Sequence, residues 1–226
     1  MIAMMNCRKS ITLTLALFSI FVFGGCFKIY EQVEFKSDGS GTFALIYEMA
    51  EVREFLLSQG GDPASPTSPY HEIKKDFETD KAILDAIPGI SNIQIQGNPE
   101  SYDLSLQFDF DDVDALNRAL NHQLQDNQEE TGDFTFYLFE AGVVTRTAYK
   151  GHLDDFRDEF TRNLPEINED LSRASYRVVL KFQEEVSPVN LGQYIFSDDN
   201  REASLDLLML KPEYSEQSPE AAFDFN

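Results

Sequence analysis

Residues 102–110 read YDLSLQFDF. Tyr102, Leu104, Leu106, Phe108 and Phe110 alternate with Asp103, Ser105, Gln107 and Asp109, the period-two pattern of a strand with one face buried and the other in water. Upstream, Ile93 and Ile95 lead into the turn composition Gly97-Asn98-Pro99, so the two runs read as a hairpin. Downstream, Asp111 is placed to cap a helix, with acidic Asp112 and Asp114 in its first turn. Val113, Leu116, Leu120 and Leu124 form its apolar stripe.

The same ββα idea recurs on both sides of this unit. Toward the N-terminus, Ile29, Val33 and Phe35 flank Asp38-Gly39-Ser40-Gly41 with Phe43, Leu45, Tyr47 and Met49. This predicts a hairpin whose turn draws positive φ from Gly39 and Gly41. A phosphate-cradling loop is excluded at DGSG, because neither a helix start nor a Lys-Ser/Thr pair follows. Val52, Phe55 and Leu56 predict a short helix. The stretch Gly60–Pro69 is a loop by composition, and 76–87 is a helix ended by Pro88-Gly89.

Toward the C-terminus, Phe134, Phe136 and Leu138 are expected to face Val143 across Glu140-Ala141-Gly142. A helix with Leu153, Phe156, Phe160 and Leu164 follows, ending near Pro165. The last strands carry Tyr176, Val178, Leu180 and Phe182, then Ala203, Leu205, Leu207 and Met209. Between them lie a loop with Pro188 and Asn190 and a turn at Ser197-Asp198-Asp199-Asn200. The predicted fold class is α+β, an antiparallel sheet of hairpins with helices on one face, in the order ββα-α-ββα-ββα-ββ. The predicted layout is a leader at 1–25, an α+β domain at 26–211 with a boundary between subdomains open near 125–132, and an acidic flexible tail at 212–226.

The leader has its own logic. Arg8 and Lys9 precede an apolar run, Ile11–Phe23, that ends in Gly24-Gly25-Cys26. This is the order of a signal peptide, and the run falls short of the ~20 apolar residues of a membrane span. Phe23-Gly24-Gly25-Cys26 resembles the bacterial lipobox, with Phe23 where leucine is commonest. The resemblance implies acylation of the Cys26 sulfur and cleavage before it. The residue after the cysteine is Phe27 rather than aspartate, which places the expected location at the periplasmic face of the outer membrane. Cys26-Phe27-Lys28-Ile29-Tyr30, then Val33-Glu34-Phe35 and Asp38-Gly39-Ser40-Gly41-Thr42, with Phe108-Asp109-Phe110 and Leu116-Asn117 farther on, resemble a group of bacterial cell-envelope lipoproteins. In that group a lipidated cysteine leads straight into a strand, a DGSG turn and a second strand. The resemblance implies an address and a fold, and no activity.

Charge and chemistry narrow the function. The 226 residues hold 18 Lys+Arg against 40 Asp+Glu, a net charge of −22. Loss of the leader with its two basic residues makes this −24. Such a surface repels nucleic acid and anionic head groups. His71, His122 and His152 show no zinc-helix spacing. The sequence has no G-x-S-x-G elbow, no S-x-x-K and no nucleotide loop. Asp109, Asp111, Asp112 and Asp114 mimic a calcium loop only loosely, because Val113 stands at a ligand position. The 19 Phe and 9 Tyr suit a filled core, or alternatively a pocket for an apolar ligand. The reading is a non-enzymatic envelope lipoprotein with no cofactor and no metal or catalytic residues. Its partners are the bilayer, through acylated Cys26, and an envelope protein. The alternatives are a carrier or sensor of a small apolar ligand and, behind it, a hydrolase.

Overall fold

The computed structural model describes residues 28–58, 60–125, 134–148, 175–207 and 216–225. The leader with Cys26, the 126–132 part of the linker, the helix expected at Leu153–Leu164 and Met209 lie outside the described residues.

The described elements are β1 (Lys28–Phe35), β2 (Gly41–Glu48), α1 (Ala50–Ser58), α2 (Pro69–Leu84), β3 (Ile90–Asn98), β4 (Asp103–Phe110), α3 (Val113–Gln125), β5 (Tyr137–Glu140), β6 (Val143–Arg146), β7 (Ser175–Phe182), β8 (Ser187–Asn190), β9 (Ile195–Phe196), β10 (Glu202–Leu207) and β11 (Ala221–Asp224). They form a seven-stranded sheet in the order β3-β4-β2-β1-β7-β10-β9 and a four-stranded sheet in the order β5-β6-β11-β8.

The alternation of apolar residues explains the large sheet. In β1 and β4 every second residue is buried. Ile29, Val33 and Phe35 pair with Tyr47, Phe43 and Gly41, and these in turn with Leu104, Phe108 and Phe110, so one register continues across three strands. Everything that buries this face packs on that side. Phe77 of α2 meets Tyr47 with ring centres 5.6 Å apart, Tyr137 of the small sheet meets Phe35 at 5.5 Å, and Phe223 meets Phe182 at 5.0 Å. The opposite face carries Gln32, Glu34, Ser105, Gln107, Lys181, Ser204 and Asp206.

The first turn separates two uses of glycine. Gly39 adopts φ +82° and lets Phe139 close over it. Gly41 has no positive φ. A Cβ there would stand 1.9 Å from the carbonyl oxygen of Glu34 and 2.7 Å from the Phe110 ring, so close approach rather than backbone freedom requires glycine.

Several expectations are corrected. The large sheet is not purely antiparallel: β1 and β7 pair in parallel over their whole length. A parallel pair needs a connection of about a dozen residues or more, and β2 through β6 lie between these two strands. The 212–226 segment is not all a flexible tail. Ala221, Phe223 and Phe225 are buried, and β11 pairs with both β6 and β8; its apolar alternation outweighs its acidic composition. The loop holding Pro188 and Asn190 is a strand at the edge of the small sheet, a place that tolerates proline. Helix α2 starts at Pro69, with proline in the first turn, where its missing N–H costs nothing. The cap of α3 is Asp112, whose Oδ1 accepts from the Ala115 N–H at 2.7 Å. Asp111 instead donates its backbone N–H to the Gly89 carbonyl.

Candidate functional site

Among the described residues, the charged groups that the fold buries meet where the two sheets join. Glu31 sits at an inward position of β1, between Ile29 and Val33, and is 5% exposed. Its Oε1 accepts the Tyr137 hydroxyl at 2.5 Å, and its Oε2 accepts the Tyr176 hydroxyl at 2.7 Å. Nε of Arg146, a residue 2% exposed, lies 3.4 Å from Glu31 Oε1. The guanidinium also donates to the Phe136 and Thr147 carbonyls and stacks on the Phe136 and Tyr137 rings.

These groups set one another's protonation. Burial raises the Tyr137 and Tyr176 phenols well above their ordinary pKa, and the Glu31 carboxylate adds to the effect. Both therefore stay protonated as donors. Burial works against the Arg146 charge, but Glu31 and the surrounding tyrosines outweigh it and hold the guanidinium above its usual value. Tyr194, also raised by burial, donates to the Pro219 carbonyl at 3.0 Å. Each carboxylate oxygen thus has a phenol donor, and the cation faces the anion, as a buried pair requires. At this depth no reacting atom could reach Glu31 without displacing a side chain. The chemistry is that of a joint between β1, β7, β5 and β6.

A second device serves the same joint. Asn117 and Asn121 project from one side of α3 onto residues 134–137. Asn121 exchanges two hydrogen bonds with the Phe134 backbone, at 2.7 and 2.8 Å. Asn117 Oδ1 accepts from the N–H groups of Phe136 and Tyr137, and its Nδ2 donates to the Tyr137 carbonyl. The two amides act as a substitute strand edge. They also break the expected alternation: Phe136 and Tyr137 are both buried, while Leu138 is 42% exposed.

The residues singled out in the sequence take other places. Asp109 accepts from Thr42 Oγ1 and Asn92 Nδ2. Asp199 accepts from Ser197 Oγ within its turn. His71 Nδ1 shares a hydrogen bond with Ser68 Oγ at 3.0 Å, His122 lies in the last turn of α3, and His152 is outside the described residues. Among the described residues, no group of three or more His, Cys, Asp or Glu could hold a metal ion, and no helix is long and apolar enough to cross a membrane. A shallow depression is lined by Ile46, Gln96, Gly97, Asn98, Asp103, Leu104 and Ser105.

The buried joint left two signals in the sequence that composition alone passes over. Glu31 is a charge at the inward parity of a strand, and Arg146 shares the parity of Val144. A charge on the apolar register of a strand predicts a buried partner.

No family model matches the chain, and no curated protein matches it. Among solved structures, it is similar to the folded domain of the LppM protein of Mycobacterium tuberculosis, determined by NMR. That similarity has a TM-score of 0.41 and 8% sequence identity, and it covers 90% of this chain and 91% of that one; a likeness at this level carries no inference about function.

Proposed function

We propose that this chain is an envelope lipoprotein, tethered to a bilayer by acyl groups on Cys26, whose folded domain binds another envelope protein rather than catalysing a reaction. The observation that carries the reading is the leader: a basic pair, a short apolar run and Gly24-Gly25-Cys26, with only Phe27 before the first strand. Two or more acyl chains give stable anchoring where a single chain binds marginally. The strongly acidic mature surface supports solvation and argues against nucleic acid as partner. The Glu31–Arg146 pair is buried where β1, β7, β5 and β6 meet, the place of a structural joint rather than of an open site. With Phe27 after the cysteine, the location we favour is the periplasmic face of the outer membrane.

Mass spectrometry of the native N-terminus tests the anchor. A diacylglyceryl group on a chain starting at Cys26 is the expected result, and a chain retaining its first 25 residues, or an unmodified thiol, overturns it. Purification of the lipidated protein from its own membrane, with identification of what accompanies it, tests the binding role. Stoichiometric recovery of one envelope protein supports that role, while turnover of a defined substrate by the purified domain would remove it.

A further inference from the structure

We infer that the end of the large sheet where β1 begins rests on the bilayer, with α1 lying in the headgroup region through Leu57. This deepens the anchor reading and depends on it. The geometry is short. Cys26 stands two positions before Lys28, and two extended residues span at most ~7 Å. Lys28 pairs with Glu48, a neighbour about 5 Å away across an antiparallel ladder. Helix α1 starts two residues after Glu48, so its N-terminal end lies within a few residues of the anchoring point.

The same end is closed by fixed structure. The 98–102 turn lies there, because Asn98 and Asp103 pair at the Glu48 end of their strands. From that turn, buried Tyr102 donates its hydroxyl to the Pro63 carbonyl at 2.6 Å and so holds the loop that follows α1. On α1, Leu57 is 44% exposed, while Val52 and Leu56 pack toward the core. An exposed apolar side chain on a helix that starts next to a lipid tether is placed to enter the interface. Glu51, Arg53 and Glu54 give α1 no cationic character, and Arg53 is engaged by Glu54 at 2.8 Å. The contact is therefore apolar, and anionic lipid does not strengthen it.

Val189 and Ile195, 63% and 76% exposed, separate position from mere exposure. They lie on β8 and β9; Ile195 stands level with Gln32, about 13 Å along the sheet from Lys28 and three strands to the side. Lys36, in the first turn, stands about 26 Å along β1 from Lys28.

The test uses the full-length lipidated protein in phosphatidylethanolamine–phosphatidylcholine vesicles containing a headgroup nitroxide lipid. A fluorophore is attached to Leu57→Cys, Lys36→Cys or Ile195→Cys. The introduced thiol is the single free one once the leader is gone and Cys26 is acylated. The expected result is quenching at position 57 at least about threefold stronger than at 36 and 195, unchanged or weaker when phosphatidylglycerol is added. Vesicle flotation with equal quenching at the three positions overturns the orientation and leaves the anchor standing. Failure to float, with an unacylated N-terminus, overturns both. Shielding of position 57 that follows protein concentration and not lipid assigns the face to a second copy of the chain and overturns the inference.

Discussion

The two sheets are built by different means. In the large one, β1 and β2 form a hairpin joined by a short turn, as do β3 and β4, with strands of eight or nine residues. Side-chain parity alone then sets which face is buried. In the small one, each strand has four residues, and the chain contributes them from three distant places. Strands so short gain little from their own ladder. Specific side chains make up the difference: the two asparagines of α3, the Glu31–Arg146 pair and the Phe182–Phe223 contact. The large sheet is encoded by a repeated pattern, and the small one by a handful of individual residues. The small sheet should therefore be the more fragile to single changes.

The largest effect expected from this contrast follows truncation after Pro219. It removes β11, the strand between β6 and β8, and strips Phe223 from Phe182, Tyr194 and Phe196. Loss of a cooperative thermal transition is expected, with near-ultraviolet circular dichroism as the measurement. A truncated chain that unfolds like the full one would mean the small sheet contributes nothing to the fold.

Next is Glu31→Ala, which leaves the buried Arg146 charge uncompensated and should cost about 3–5 kcal/mol. The double variant Glu31→Met with Arg146→Met removes both charges and should recover part of that loss in urea denaturation, less the cost of the Tyr137 and Tyr176 hydroxyls left without their acceptor. If the double variant is as unstable as the single one, packing rather than charge holds the joint.

The phenols give a pH dependence. Tyr137 and Tyr176 have pKa values raised in the folded state, whereas unfolded phenols ionise near pH ~10. Above that pH the folded chain holds protons that the unfolded chain has released. Stability is therefore complete below pH ~10 and falls as pH rises, by about 1.4 kcal/mol per pH unit for each phenol. Urea midpoints followed from about pH 8 to 11, with and without Tyr176→Phe, check this. The substitution should flatten the decline.

The most local effect is that of Asn117→Ala, which leaves the Phe136 and Tyr137 N–H groups without their acceptor and should cost about 1–3 kcal/mol. Faster amide exchange at 136–137, with β1–β4 unchanged, is the sharper readout.

The same contrast explains what could be read in advance. Residues 102–110 and the runs on either side of Asp38-Gly39-Ser40-Gly41 announced strands because apolar residues recur at every second position. Phe136 and Tyr137 defeated that rule, because two helix side chains impose a backbone path that period-two counting cannot represent. Residues 221–225 were hidden by the acidic company of Glu213, Glu216 and Glu220. The parallel neighbour of β1 was out of reach in principle, since alternation shows which face a strand buries but not which distant strand lies beside it. Glu31 was visible as a charge out of place, but its partners Arg146, Tyr137 and Tyr176 come together only through the fold.

The parallel pairing of β1 and β7 also has a temporal side. Lys28 waits for Ser175, 147 positions downstream, before its second edge is covered. Closing so long a loop is entropically slow. The first of the described strands is thus among the last to be completed, and until Phe182 has emerged its unpaired edge is open to other chains. A chain made from its N-terminus stays loose under this arrangement until most of its length has emerged.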